Sequence, residues 1–279
     1  MTAISSPPRT LDTARVAVGS GAPFPTTVFQ TARRTALQFL RTPLLLITGT
    51  IQGAIYLFMF RYVIGGAIDT GSTRYVEFLV PGVLATVALW NGMGIPAGVA
   101  EDGASGVYDR LRSLPIPRAG VMAGRSLADT GLLSWGVLTT TLFSLVIGFR
   151  LHGDAADVLL AFAVLLAATF AFTWLFISFG LLAQNAQAAQ GLSMLVIPLT
   201  FISSAYVPVH SMPGWMQTVA ARQPVTAVAN AVRSLMLGGT GPAGIGHTTT
   251  YWVVLSLIWC AGIFTVFSAI AIARFARKR

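Results

Sequence analysis

Charged and nucleophilic side chains are scarce in this chain, so each one that could do chemistry can be weighed singly. Arg125 and Asp129 stand four residues apart, a spacing that puts both on one helix face and lets a guanidinium pair with a carboxylate. A charge at the centre of a bilayer costs roughly 2.5–3.5 kcal/mol on insertion scales. Such a pair is therefore either a structural lock or a gate. Glu101 and Asp102 open a polar segment, a position that suits capping the next helix and meeting a partner protein better than binding a proton or cation. Ser203, Ser204 and His210 are the ingredients of an interfacial hydrolase, yet no carboxylate is near them and no Gly-x-Ser-x-Gly turn presents a serine. His152, His210 and His247 fall in separate loops without ligand spacing, which argues against zinc. The single cysteine, Cys260, permits neither an internal disulfide nor a thiolate cluster. Lys278 is the only lysine, so the Gly-x-x-x-x-Gly-Lys-[Ser/Thr] phosphate cradle is absent and any nucleotide hydrolysis must come from another chain. Trp90, Asn91 and Trp135 are candidates for contacting an aromatic ligand, although tryptophans near a membrane surface usually serve as anchors.

The elements that must position these residues are membrane spans. Apolar residues make up 54% of the chain and charged residues 10%, against about 25% charged in a soluble domain. The mean hydropathy is +0.73. The net charge of +9 is bunched at the amino end, in the 101–129 segment and at the carboxyl end. It reads as a topological signal and not as a nucleic-acid footprint.

A hydrocarbon core of about 30 Å takes roughly 20 apolar residues as a helix. Six segments qualify, at about 43–65, 78–100, 127–149, 158–183, 191–207 and 251–273. The fifth is short and contains Pro198, which predicts a kink. Arginines precede the first span, lie between the second and third, and follow the sixth, so the positive-inside rule puts both termini in the cytoplasm. The expected arrangement is an all-α, multi-pass protein of the cell (inner) membrane. Residues 1–26 read as a disordered cytoplasmic tail and 27–279 as one transmembrane domain. Before the first span, Phe29, Ala32, Ala36 and Leu40 share a face, predicting an amphipathic helix on the inner leaflet. Between spans five and six, apolar residues recur at helical spacing on both sides of Gln223-Pro224, predicting two short outer helices at or dipping into the interface.

The 101–129 segment is a polar island between spans two and three. Gly103 and Gly106 allow a turn, residues 107–114 suit a short helix exposing Asp109, Arg110 and Arg112, and Pro115 and Pro117 end it. Glu101, Gly106, Arg110, Leu114-Pro115-Ile116, Arg118, Arg125 and Asp129 resemble the coupling segment of type-2 ABC exporter permeases, particularly the daunorubicin-resistance branch. The stretch 203–239 is similar to the region between spans five and six of that branch.

The resemblance implies the permease half of an exporter that moves an amphipathic drug, antibiotic or lipid outward. It implies a separate ATPase subunit, which holds the ATP and magnesium, and a second permease chain, identical or homologous. Glu101, Asp109, Arg110, Arg112, Leu114, Pro115 and Arg118 would contact the ATPase, with Arg125 and Asp129 as a possible gating pair. A polysaccharide or glycolipid exporter is the alternative on the same architecture.

Overall fold

The computed structural model describes residues 22–64, 75–238 and 246–277. The tail before Ala22, the stretch 65–74 that holds most of the first expected outer loop, 239–245 of the last expected outer loop, and the tail bases Lys278 and Arg279 lie outside the described residues. Every regular element among the described residues is helical.

Helix α1 (Phe24–Leu40) starts inside the stretch expected to be disordered, with Pro25 in its first turn, where the missing N–H costs nothing. It lies along α6 (Arg118–Val146). The buried contact is made by Thr27 and Thr35, while Phe29 and Leu40 stay on the open surface. Small residues on α6 permit the approach, since a Cβ at Gly124 would run into the Val28 carbonyl and Thr31.

Helix α2 (Pro43–Phe58) continues into a wider π-turn segment (Met59–Ile64). Leu44, Ile47, Ile51, Ile55 and Phe58 form an open apolar stripe along it. Helix α3 (Tyr75–Trp90) is the centre of the molecule: apart from Tyr75 and Glu77, all its residues are buried, against α11 (Pro224–Met236), α6 and α7 (Ala155–Leu182). Pro81 sits within α3, and Gly82 after it lets the Ala205 carbonyl approach where any Cβ would collide. A tight turn (Asn91–Gly94) joins α3 to α4 (Ile95–Ala104).

Helix α7 is started by Asp154, whose carboxylate accepts the Asp157 N–H at 2.8 Å. Asn185 caps α8 (Ala186–Met194) in the same way. The chain breaks at Leu195-Val196 and resumes as α9 (Ile197–Phe201), with Pro198 in its first turn. Helix α10 (Gly214–Arg222) meets α11 at Gln223-Pro224. Of this pair only α10 is open to its surroundings; α11 is buried along its whole length against α3, α7 and α12 (Thr249–Arg277). Its placement in the core is a difference from the interfacial position expected.

Four helical stretches are long and apolar enough to cross a membrane, Leu46–Val63, Tyr75–Ala104, Ala155–Leu182 and Thr249–Arg277. Helix α6 has the length, but it carries Arg118, Arg125 and Asp129 and a run of buried threonines. The chain is an all-α, multi-pass membrane protein.

Candidate coupling site

The polar island folds as a strap across the ends of three long helices. Gly106, at φ 75°, turns the chain out of α4 in a backbone region that a side chain would disfavour. Helix α5 (Val107–Ser113) follows, and Leu114 leaves it in an extended conformation before Pro115. Gly106 is its N-cap and no side chain caps it, so neither Glu101 nor Asp102 has the capping role expected.

The island's charges divide into those facing outward and those locked inward. Glu101, Asp109, Arg110, Leu114, Pro115 and Arg118 are exposed. The Arg110 side chain has no ion pair or hydrogen bond among the described residues. Arg112 differs from expectation: its side chain is only 15% exposed. Its Nε donates to the Phe275 carbonyl at 3.0 Å, and its guanidinium lies 4.7 Å from the centre of the Phe275 ring. Its other arm bonds Asp109 at 2.8 Å. Arg118 donates to the Ala276 carbonyl at 3.3 Å. The two arginines thus supply donors and positive charge to the carboxyl end of α12, where helix carbonyls lack partners and the dipole is negative. Tyr108, buried one turn before Arg112 on the same face of α5, meets the Phe275 ring edge-on at 5.4 Å. Nothing in the local sequence announces this dock, because Phe275 lies more than a hundred residues downstream.

Arg125 and Asp129 pair as their spacing predicts, Nε donating to Oδ2 at 2.9 Å. The structure adds Asp102, which accepts from the other arm of Arg125 and ties α4 to α6. The guanidinium is only 11% exposed and is compensated by two carboxylates, Asp129 and Asp102. Asp129 is 1% exposed. One of its oxygens, Oδ1, and the nearby Tyr108 hydroxyl are buried without a partner. Burial also pushes the Tyr108 phenol upward.

The three ligand candidates are only partly brought together. Trp90 is buried, donates to Thr200 at 3.2 Å and meets Tyr56 edge-on at 4.5 Å. Asn91 reaches between Gly49 of α2 and Gly136 of α6, with its Oδ1 unpartnered. Trp135 is 46% exposed and donates to Thr50 on α2. The serines of the hydrolase alternative are committed elsewhere: Ser203 donates to the Thr200 carbonyl and Ser204 to Asn230, and both are buried.

A third polar centre was not anticipated. Arg233 of α11 is completely buried and donates to the Phe78 carbonyl at 3.0 and 2.9 Å, to the Ser204 carbonyl at 3.0 Å and to Asn230. Its guanidinium lies 3.9 Å from the Phe78 ring centre. It has no carboxylate partner among the described residues. Its sequence signal was an arginine on an otherwise apolar helix face.

With this geometry in view, the chain can be set beside known proteins. The family described as ABC-2 type transporter matches residues 26–237. A daunorubicin resistance ABC transporter permease protein of Streptomyces coeruleorubidus is 32% identical over 248 residues, 88% of this chain and 84% of that protein. A probable doxorubicin resistance ABC transporter permease protein of Mycobacterium tuberculosis is 27% identical over 229 residues, 78% of each chain. A putative transport permease of Cyanophora paradoxa is 24% identical over 212 residues, 75% of this chain and 73% of that one.

Proposed function

The chain belongs to the ABC-2 type transporter family, and from that premise we infer that it is the permease subunit of an exporter of amphipathic drugs or antibiotics, driven by a separate ATPase. The observation that carries the coupling part of this reading is the strap: α5 offers outward charges to a partner while Tyr108 and Arg112 grip the end of α12. Closure of an ATPase pair pushes on α5. That push passes to α12 through Phe275, and to α4 and α6 through Asp102, Arg125 and Asp129.

We assign six spans, with α2, α3–α4, α6, α7, α8–α9 and α12 crossing the membrane and both termini inside. Helix α6 crosses because its charges gather at the island end and are neutralised there. ATP and magnesium belong to the partner, and a second permease chain, identical or homologous, completes the path. Lipid and glycolipid cargo share this architecture, but the named drug-resistance relatives favour drugs. The surfaces assigned to the ATPase are Glu101, Asp109, Arg110, Leu114 and Pro115, with Arg112 and Arg118 holding the strap in place.

The test separates these roles. Arg110→Glu reverses a charge with no partner among the described residues, so insertion and folding persist while co-purification with the ATPase is lost and cargo accumulates. Truncating a charge at a protein interface typically costs about 2–5 kcal/mol when its pair is buried. Normal co-purification and normal efflux at matched expression would remove Arg110 from the interface.

A further inference from the structure

We propose that a donor-lined cavity at the end of α12 remote from the coupling strap binds the phosphate headgroup of an anionic phospholipid. The cavity holds about 310 Å³ and is lined by Arg222 of α10, Thr226 and Asn230 of α11, and the aromatic trio His247, Tyr251 and Trp252.

Its polar lining is biased one way. Asn230 accepts through Oδ1 from Ser204 at 2.9 Å and from Arg233, so its amide nitrogen is the group left for a ligand. Thr226 Oγ1 accepts from the Ser204 N–H at 3.0 Å and from Gln223 at 3.3 Å, which leaves its hydroxyl hydrogen to donate. The Trp252 indole N–H, a donor with no acceptor capacity, is buried without a partner. Arg222 is exposed and has no ion pair among the described residues. No aspartate or glutamate lines the cavity, and Arg233 adds a second guanidinium directly behind Asn230. Burial lowers the Arg233 pKa only to about 9, so it stays charged at neutral pH. A lining that offers the Arg222 guanidinium and the Asn230, Thr226 and Trp252 donors, with no carboxylate, selects an anion rich in acceptors.

The surroundings favour a lipid over a free ion. Trp215, Val219 and Arg222 recur along one face of α10, and the first two are 73% and 55% exposed. An open apolar stripe that ends in a guanidinium matches an acyl chain that ends in a phosphate. His247 stacks on Tyr251 at 4.1 Å, and Trp252 meets Tyr251 edge-on at 5.1 Å. Such amphipathic rings settle at headgroup depth. A cavity of this size takes a glycerophosphate group and leaves the chains outside it.

The inference uses the membrane setting alone and is read by binding, so it stands or falls apart from drug export. The full chain, purified in a neutral maltoside detergent, is titrated with dihexanoyl phosphatidylglycerol and, separately, with inorganic phosphate, following the melting temperature. The lipid raises it at concentrations where phosphate does not, and Arg222→Glu weakens the apparent lipid affinity by about tenfold or more. Because Arg222 is exposed, this variant folds, and its unliganded melting temperature checks that it has. No lipid-dependent rise, or an equal rise in Arg222→Glu, overturns the site. A rise given equally by inorganic phosphate overturns the lipid as its occupant.

Discussion

Replacing Arg125 by leucine isolates what the island's inner cluster contributes. The substitution leaves Asp129, 1% exposed, as a buried carboxylate without its partner. Breaking a buried pair on one side typically costs about 3–5 kcal/mol, because the surviving charge can be neither hydrated nor compensated. Asp102, at 19% exposure, also loses its partner but can turn toward water, so its share is about 1 kcal/mol or less. Arg125→Leu is therefore expected to lose about 3–5 kcal/mol in a detergent-driven unfolding titration of the purified chain. The double variant Arg125→Leu/Asp129→Leu removes the stranded charge, and apolar replacement of a buried pair is often neutral or stabilising. It should recover to within about 1 kcal/mol of the original protein. Export separates lock from gate. If the cluster transmits movement between α4 and α6, the double variant folds, binds its ATPase and fails to export. A double variant that exports normally makes the pair a structural lock only. A single variant as stable as the original protein refutes the energetic argument itself, since Asp129 would then not depend on Arg125.

Two further outcomes follow from the fold. Gly82→Val drives a side chain into the Ala205 carbonyl, a backbone group that cannot step aside, and should cost at least about 1–3 kcal/mol in the same titration. Gly131→Ala, which meets nothing within 4 Å on α6, should be neutral or gain up to about 1 kcal/mol. For topology, cysteines at the exposed positions Ser113 and Ser211, introduced after Cys260 is replaced, should respond oppositely to an impermeant thiol reagent in intact cells. Ser211 labels and Ser113 does not, and labelling of Ser113 from outside would invert the assigned orientation.

Most of the helices, and the short helix of the island with its bounding turns, were legible in the sequence because their signals are local. Apolar runs, Gly106, Pro115 and the four-residue spacing of Arg125 and Asp129 each act within one or two turns. The depth of α11 was not legible. Its hydrophobic face was plain, but Arg233 reads as a surface residue until the carbonyls of Phe78 and Ser204 are found around it, and those come from distant segments. Likewise the amphipathic reading of α1 identified a helix but not its protein contact. Thr27 packs on Gly120, and Thr31 and the Val28 and Ala32 backbone pack on Gly124, while Phe29 and Leu40 of the apolar stripe stay exposed, because so close an approach needs small residues more than large apolar ones. The role of Asp102 was missed for a similar reason, since its partner Arg125 stands 23 residues away, near the other end of the island.

The division among the island's charges carries more of the coupling argument than their number. In the sequence, Arg110, Arg112, Arg118 and Arg125 are equivalent positive charges in one loop. In the fold, Arg112 and Arg118 hold α12, Arg125 holds α4 to α6, and the Arg110 side chain holds nothing among the described residues. A strap held to three helices moves them only if it is stiffer than its attachments are weak. Each attachment is a charge-assisted bond to a carbonyl or carboxylate, a kind about twice as strong as a neutral one, and those of Arg112 and Arg125 are partly buried while that of Arg118 is exposed. Under the proposed coupling role, a push at the free face of α5 would be distributed among the ends of α4, α6 and α12 instead of being lost in a bending loop. Helix α12, about 43 Å long at 1.5 Å per residue, runs from that strap to the donor-lined cavity at its other end. The same helix that the strap grips through Phe275 and Ala276 therefore forms one wall of the cavity at its other end.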